Sequence, residues 1–132
     1  MRKNKNYREK GGKMYRSKIT DYGAQAMEFL QEKMMILFQE GAPLELCEVA
    51  FLHIGDELQE DIKVGDRFVI GDGSYLVTAI GERANETFRS MGHCTLRFEG
   101  RQNVSLPGEI QLLGESPTII NIDAPLYIIH RS

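Results

Sequence analysis

Nowhere does the chain hold the ~18 consecutive apolar residues that a membrane-spanning helix requires. It also lacks the charged start followed by an apolar stretch that marks a secretory signal, so a cytosolic protein is the expectation. Cysteine is scarce: Cys47 and Cys94 form neither a CxxC pair nor a disulfide framework, and in a reducing compartment such residues read as buried free thiols. The four prolines, Pro43, Pro107, Pro117 and Pro125, all fall in expected connections. There is no internal repeat, no βαβ alternation, no GxGxxG and no phosphate-binding P-loop, which argues against a doubly wound nucleotide-binding fold. At 132 residues the chain suits a single domain with one core.

What is present from Met14 onward is a succession of short apolar or alternating runs separated by glycine. Gly41, Gly55, Gly65, Gly71, Gly73, Gly81, Gly92, Gly100, Gly108 and Gly114 recur at the spacing of an all-β barrel or sandwich. The pattern predicts strands over 15–21, 34–39, 47–54, 67–71, 74–80, 93–99, 109–113 and 126–130. Asp72-Gly73 is the clearest hairpin signal. Two short helices are expected: 24–32, with Ala26, Met27, Leu30 and Met34 near one face, and 84–91, ending against Gly92. A mainly β fold follows, a closed or nearly closed barrel with one or two short helices.

Two histidines stand inside these runs, His53 in Val49-Ala50-Phe51-Leu52-His53-Ile54-Gly55 and His93 in Gly92-His93-Cys94-Thr95-Leu96-Arg97-Phe98. A half-buried neutral imidazole can serve as nucleophile, proton carrier or metal ligand. Strand alternation puts His93, Thr95 and Arg97 on one face and Cys94, Leu96 and Phe98 on the other, packed face. His53 shares its face with Phe51 and Val49 and ends an apolar strand. A zinc site from His53, His93, Cys47 or Cys94 has adequate ligand types, but no i, i+2 or i, i+4 histidine pair supports it. His130, near the end of the chain, reads as solvent-exposed.

Met34-Met35-Ile36-Leu37-Phe38, Glu40-Gly41-Ala42-Pro43, Phe51-Leu52-His53, Val64-Gly65-Asp66, Val77-Thr78-Ala79-Ile80-Gly81, Gly92-His93-Cys94-Thr95-Leu96-Arg97-Phe98 and Leu106-Pro107-Gly108 occur in that order. Together they resemble the glucitol/sorbitol-specific enzyme IIA component of the bacterial phosphotransferase system, over about residues 14 to 114. The resemblance implies a β-barrel and a cytoplasmic phosphocarrier. Such a carrier takes phosphate from HPr on a histidine, here His53, and passes it to the IIB unit of a sugar transporter. No cofactor or metal is implied.

In that setting the attacking nitrogen must be unprotonated and exposed at the rim, while the other ring nitrogen donates to a carbonyl or carboxylate that fixes the tautomer. His93, Thr95 and Arg97 are the right types to hold phosphoryl oxygens, and Gly55 permits close backbone approach. Core packing is the alternative for His93, surface pairing for Arg97 and strand propensity for Thr95. Asp56 and Glu57 should point away from a phosphoryl group, or one should serve only as partner of the non-attacking nitrogen. The rival function is a barrel that binds a transporter subunit or regulator without carrying phosphate. Exposed strand edges would permit a homodimer.

Residues 1–13 carry Arg2, Lys3, Lys5, Arg8, Lys10 and Lys13 against Glu9 alone, while the other ten basic residues face eighteen acidic ones. Such an arm hints at nucleic acid or an anionic membrane surface, or reads as a disordered extension. A third reading fits better. The family resemblance begins just after Met14, and Lys10-Gly11-Gly12-Lys13 is what a purine-rich ribosome-binding site would encode in this frame. Met14 is therefore the expected natural start and 14–132 the expected domain, with neither nucleic-acid binding nor membrane insertion.

Overall fold

A computed structural model describes residues 13–131 of the chain, with Lys13 and Met14 described for their backbone alone. Their pattern of alternating burial produces eight strands: β1 (Lys13–Tyr22), β2 (Met34–Gln39), β3 (Phe51–Gly55), β4 (Arg67–Ile70), β5 (Gly73–Ile80), β6 (Cys94–Arg97), β7 (Glu109–Leu113) and β8 (Pro125–Ile129). Three helices accompany them: α1 (Ala26–Gln31), α2 (Leu44–Cys47) and α3 (Ala84–Met91). The strands close into a barrel in the order β1-β3-β2-β6-β7-β5-β4-β8, with β8 returning to β1. The expected mainly β, closed-barrel class is borne out. Of the expected extension, residues 1–13, all but Lys13 lie outside the described residues, and the Lys13 backbone begins β1 and pairs with Ile129.

Two neighbouring pairs, β2 with β3 and β6 with β7, run parallel, and the remainder are antiparallel. Parallel neighbours need a crossover rather than a tight turn. Residues 40–50, which include α2, provide the first crossover; residues 98–108 provide the second. The lumen is filled from alternate positions of every strand, including Ile19, Leu37, Phe51, Phe68, Val77, Leu96, Ile110 and Leu126, all fully buried. Each such side chain contributes about 1.5–3 kcal/mol by leaving water.

Several local expectations need correction. Residues 47–50 do not join the third strand, because Cys47 ends α2, a single turn with Pro43 at its N-cap and Glu45 in its first turn. The tight hairpin turn is Gly71-Asp72 rather than Asp72-Gly73: Ile70 pairs with Gly73, and Gly71 carries the positive φ of 58°. Ring closure pairs each strand on both sides, which removes the free edges invoked for a homodimer.

Helix α3 sits over one end of the barrel. Ala84 and Phe88, four residues apart, are its buried face. It stops as expected at Gly92, whose φ of 61° is left-handed, and the N–H groups of Gly92 and His93 return to the carbonyls of Phe88 and Thr87. That cap fixes the backbone at Gly92, whose carbonyl lies 2.8 Å from the His53 ring.

Candidate functional site: a buried imidazole at the barrel mouth

In β3, Phe51 and His53 face the lumen while Leu52 and Ile54 face outward. His53 has no solvent exposure at all, contrary to the rim position that strand-end placement suggested. The physical reason is α3, which covers that end of the lumen and lays the Phe88 ring nearly parallel to the imidazole at 5.8 Å. Burial lowers the His53 pKa, and the hydrogen bond to Gly92 offsets that only in part, so the ring is neutral at neutral pH.

Both ring nitrogens are engaged. Nε2 lies 2.8 Å from the carbonyl oxygen of Gly92. A carbonyl can only accept, so Nε2 carries the proton and donates it. This carbonyl fixes the tautomer of the ring. Nδ1 is then the lone-pair nitrogen, and it faces the Ser17 hydroxyl at 2.8 Å and the Tyr15 hydroxyl at 3.4 Å. Ser17 also lies 2.8 Å from the Ile54 carbonyl, giving its single hydrogen a choice of two acceptors. Burial pushes the Tyr15 phenol up to about 12, so it is a donor throughout the physiological range.

Glycine is required at two positions around this ring. A Cβ on Gly92 would stand 3.0 Å from both Cε1 and Nε2 of His53. A Cβ on Gly55 would collide with the Tyr15 phenol, which crosses the Gly55 backbone. Gly55 thus opens space for a tyrosine.

His93, Thr95 and Arg97 do share a face, opposite Cys94, Leu96 and Phe98, but it is the outer face of the barrel. The wall separates them from the His53 ring, and the structure does not bring them to Nδ1. His93 is half-buried, stacks on Phe38 at 4.8 Å and donates from Nδ1 to the Leu37 carbonyl at 2.9 Å. Its Nε2 makes no hydrogen bond among the described residues. Arg97 is held by Glu99 at 2.9 Å, and Glu99 also accepts from Arg101. His93 meets His53 only through its neighbour, Gly92.

Asp56 and Glu57 are exposed, and neither contacts the imidazole, although Asp56 lies close enough to raise the Tyr15 pKa further. His130 is half-buried rather than exposed, lying 3.3 Å from both Glu60 and the fully buried Asp66. Cys94 lines the lumen and Cys47 ends α2 outside it, both as free thiols. Among the described residues no group of three or more His, Cys, Asp or Glu is arranged to hold a metal ion. No described helix is long and apolar enough to cross a membrane.

Sequence reading missed Ser17, Tyr15 and Phe88 as neighbours of the imidazole. Tyr15, Ser17 and Ile19 alternate with exposed Arg16 and Lys18, which marks them as lumen-facing. Only the β1–β3 register, with Ile19 opposite His53 and Ser17 opposite Gly55, brings them to the ring.

Residues 14–126 match the family described as the phosphotransferase system glucitol/sorbitol-specific IIA component. The chain is 39% identical over 104 residues to the glucitol/sorbitol-specific EIIA components of Escherichia coli K12 and Shigella flexneri, covering 79% of this chain and 85% of each relative. A crystal structure of a phosphotransferase system IIA component from Enterococcus faecalis V583 superposes with a TM-score of 0.75 at 28% identity, covering 84% of this chain and 96% of that one. With the barrel, the capped helix and the fixed imidazole in view, the chain belongs to the glucitol/sorbitol-specific IIA component family of the phosphotransferase system.

Proposed function

We propose that the protein is a cytoplasmic phosphocarrier that accepts a phosphoryl group from phosphorylated HPr on His53 and passes it to the IIB unit of a glucitol/sorbitol transporter. The observation that carries this reading is the state of the His53 ring: neutral, tautomer-fixed by the Gly92 carbonyl, with one nitrogen keeping its lone pair. A phosphoryl carrier needs a nucleophile of that kind and a means of giving the group up again. Transfer between two histidines, and from histidine to a thiolate, depends on alignment and charge stabilisation, so the reading includes no cofactor or metal.

A second reading has its own observation. His93 also has a fixed tautomer, and its Nε2 is the less enclosed nucleophile. In the first reading His93 stays on the outer face with Thr95 and Arg97, where it meets the surface of a docked partner; in the second, His93 is itself the acceptor.

The test is incubation with phosphoenolpyruvate, enzyme I and HPr, followed by assay for acid-labile, alkali-stable phosphate. His53→Ala should reduce incorporation to background in a folded protein, while His93→Ala, which removes nothing within reach of the His53 Nδ1, should still load. Incorporation that survives His53→Ala and disappears in His93→Ala reverses the two roles. No incorporation into the unaltered chain, under conditions that load HPr, leaves the non-catalytic binding module.

A further inference from the structure

We infer that Nδ1 of His53 is the reacting nitrogen, and that Ser17 and Tyr15 are catalytic residues that hold its lone pair at rest and donate to the phosphoryl oxygens after transfer. The inference rests on the reading of His53 as acceptor and adds the atom, the direction of approach and two residues.

The two sides of the ring differ in what would have to move. On the Nε2 side stands a backbone carbonyl, fixed by the α3 cap, whose Gly92 and His93 N–H groups are both bonded into the last helical turn. It holds a proton on Nε2, and a phosphoryl group there would have to displace both that proton and the cap. On the Nδ1 side stand two hydroxyls on rotatable side chains. Serine can swing its hydrogen from Nδ1 to the Ile54 carbonyl, already 2.8 Å away, by one torsion and without leaving a buried donor unsatisfied. Nδ1 also faces the more open edge: Gly55 and Ile54 beside it are exposed, and Ser17 is the least buried of the ring's neighbours at 9%.

The phenol of Tyr15 is the remaining cover. It crosses Gly55 with only hydrogen in place of a side chain beneath it, and packs edge-on against Phe88 at 5.0 Å. Swinging of the phenol off Gly55 uncovers Nδ1 and leaves the O–H near the incoming group.

The step balances as follows. The P–N bond of the donor's phosphohistidine breaks with its electron pair left on the donor imidazole, and the Nδ1 lone pair forms the new P–N bond. Nε2 keeps its proton, so the loaded ring is a cation whose N–H points at the Gly92 carbonyl, at the negative end of α3. Once the bond has formed, Ser17 turns its one hydrogen from the Ile54 carbonyl to a phosphoryl oxygen and Tyr15 donates to another, the Tyr15 proton being secure because its pKa is high. Return of the group to a thiolate acceptor reverses these movements.

The experiment uses the full chain labelled with ¹⁵N-histidine and loaded by phosphoenolpyruvate, enzyme I and HPr. Coupling of phosphorus to Nδ1 of His53, with Nε2 still protonated, is the expected spectrum; coupling to Nε2 overturns the inference while leaving His53 as acceptor. Ser17→Ala should slow loading by roughly 10²-fold and Tyr15→Phe, which keeps the ring, by roughly 10-fold or more. Folding of each variant is checked from its spectrum. Folded variants that both load at the unaltered rate overturn the role given to the two hydroxyls, even if phosphorus sits on Nδ1. An unaltered chain that takes no phosphate on His53 overturns the carrier reading, and this inference with it.

Discussion

Replacing Gly92 by alanine tests whether the helix cap holds the imidazole, and Gly71→Ala supplies the control. Both glycines are left-handed, at φ 61° and 58°, so an added Cβ strains either backbone by about 1–2 kcal/mol. At Gly71 the new methyl meets nothing within 4 Å; at Gly92 it lies 3.0 Å from Cε1 and Nε2 of His53 and from Cβ of Gln39. The imidazole must retreat by a few tenths of an ångström, stretching the 2.8 Å bond to the Gly92 carbonyl. Loss of much of a buried hydrogen bond adds about 1 kcal/mol, and crowding against Gln39 somewhat more. Gly92→Ala should therefore be less stable than Gly71→Ala by about 1–2 kcal/mol, or roughly 5 °C in Tm for a domain of this size. Urea and thermal melts give the stability difference, and phosphate acceptance per folded molecule gives the functional one. Gly71→Ala should load normally and Gly92→Ala slowly. Equal stability and equal loading in the two variants would refute the idea that Gly92 fixes the ring.

Two further perturbations follow from the geometry. The folded state keeps His53 neutral while the unfolded chain takes up a proton near pH 6.5, so its stabilising effect is complete above that pH and lost as pH falls below it, by up to about 1.4 kcal/mol per pH unit. Urea midpoints between pH 7.5 and 5 should decline more steeply for the unaltered chain than for His53→Gln; parallel slopes would show that the buried ring does not govern acid stability. Asp66 accepts from the backbone N–H groups of Lys63 and Arg131 with no exposure of its own, so Asp66→Ala strands two donors and should cost roughly 2–4 kcal/mol by denaturant titration, with Asp66→Asn retaining part of it.

Local features were legible where local physics decides them. Strands β2 and β7 have the predicted bounds because their apolar runs are flanked by turn residues. The split of His93, Thr95 and Arg97 from Cys94, Leu96 and Phe98 follows from the two-residue period alone. What that period cannot specify is which face is lumen. His53 shares its face with Phe51 as read, yet whether that face lies under a helix depends on α3, more than thirty residues downstream. The partners of Nδ1 were invisible for a related reason: Tyr15 and Ser17 reach the ring through the β1–β3 register, a pairing across about 36 residues. Helix α2 carried a local signal, Pro43 followed by Glu45, that the apolar run after Cys47 outweighed.

Closure of the ring by β1 against β8 has a consequence for how the protein comes into being. The first and last strands are neighbours, so the barrel closes only when both ends of the described chain have met. Contacts between such distant segments carry a large loop-closure entropy and slow the search for the native state. Until β8 arrives, β1 keeps an unpaired edge open to other chains. The same β1 holds Tyr15 and Ser17 against the imidazole. A ribosome-bound chain still lacking residues 125–129 would therefore carry its histidine without a settled wall around it until β8 closes the ring.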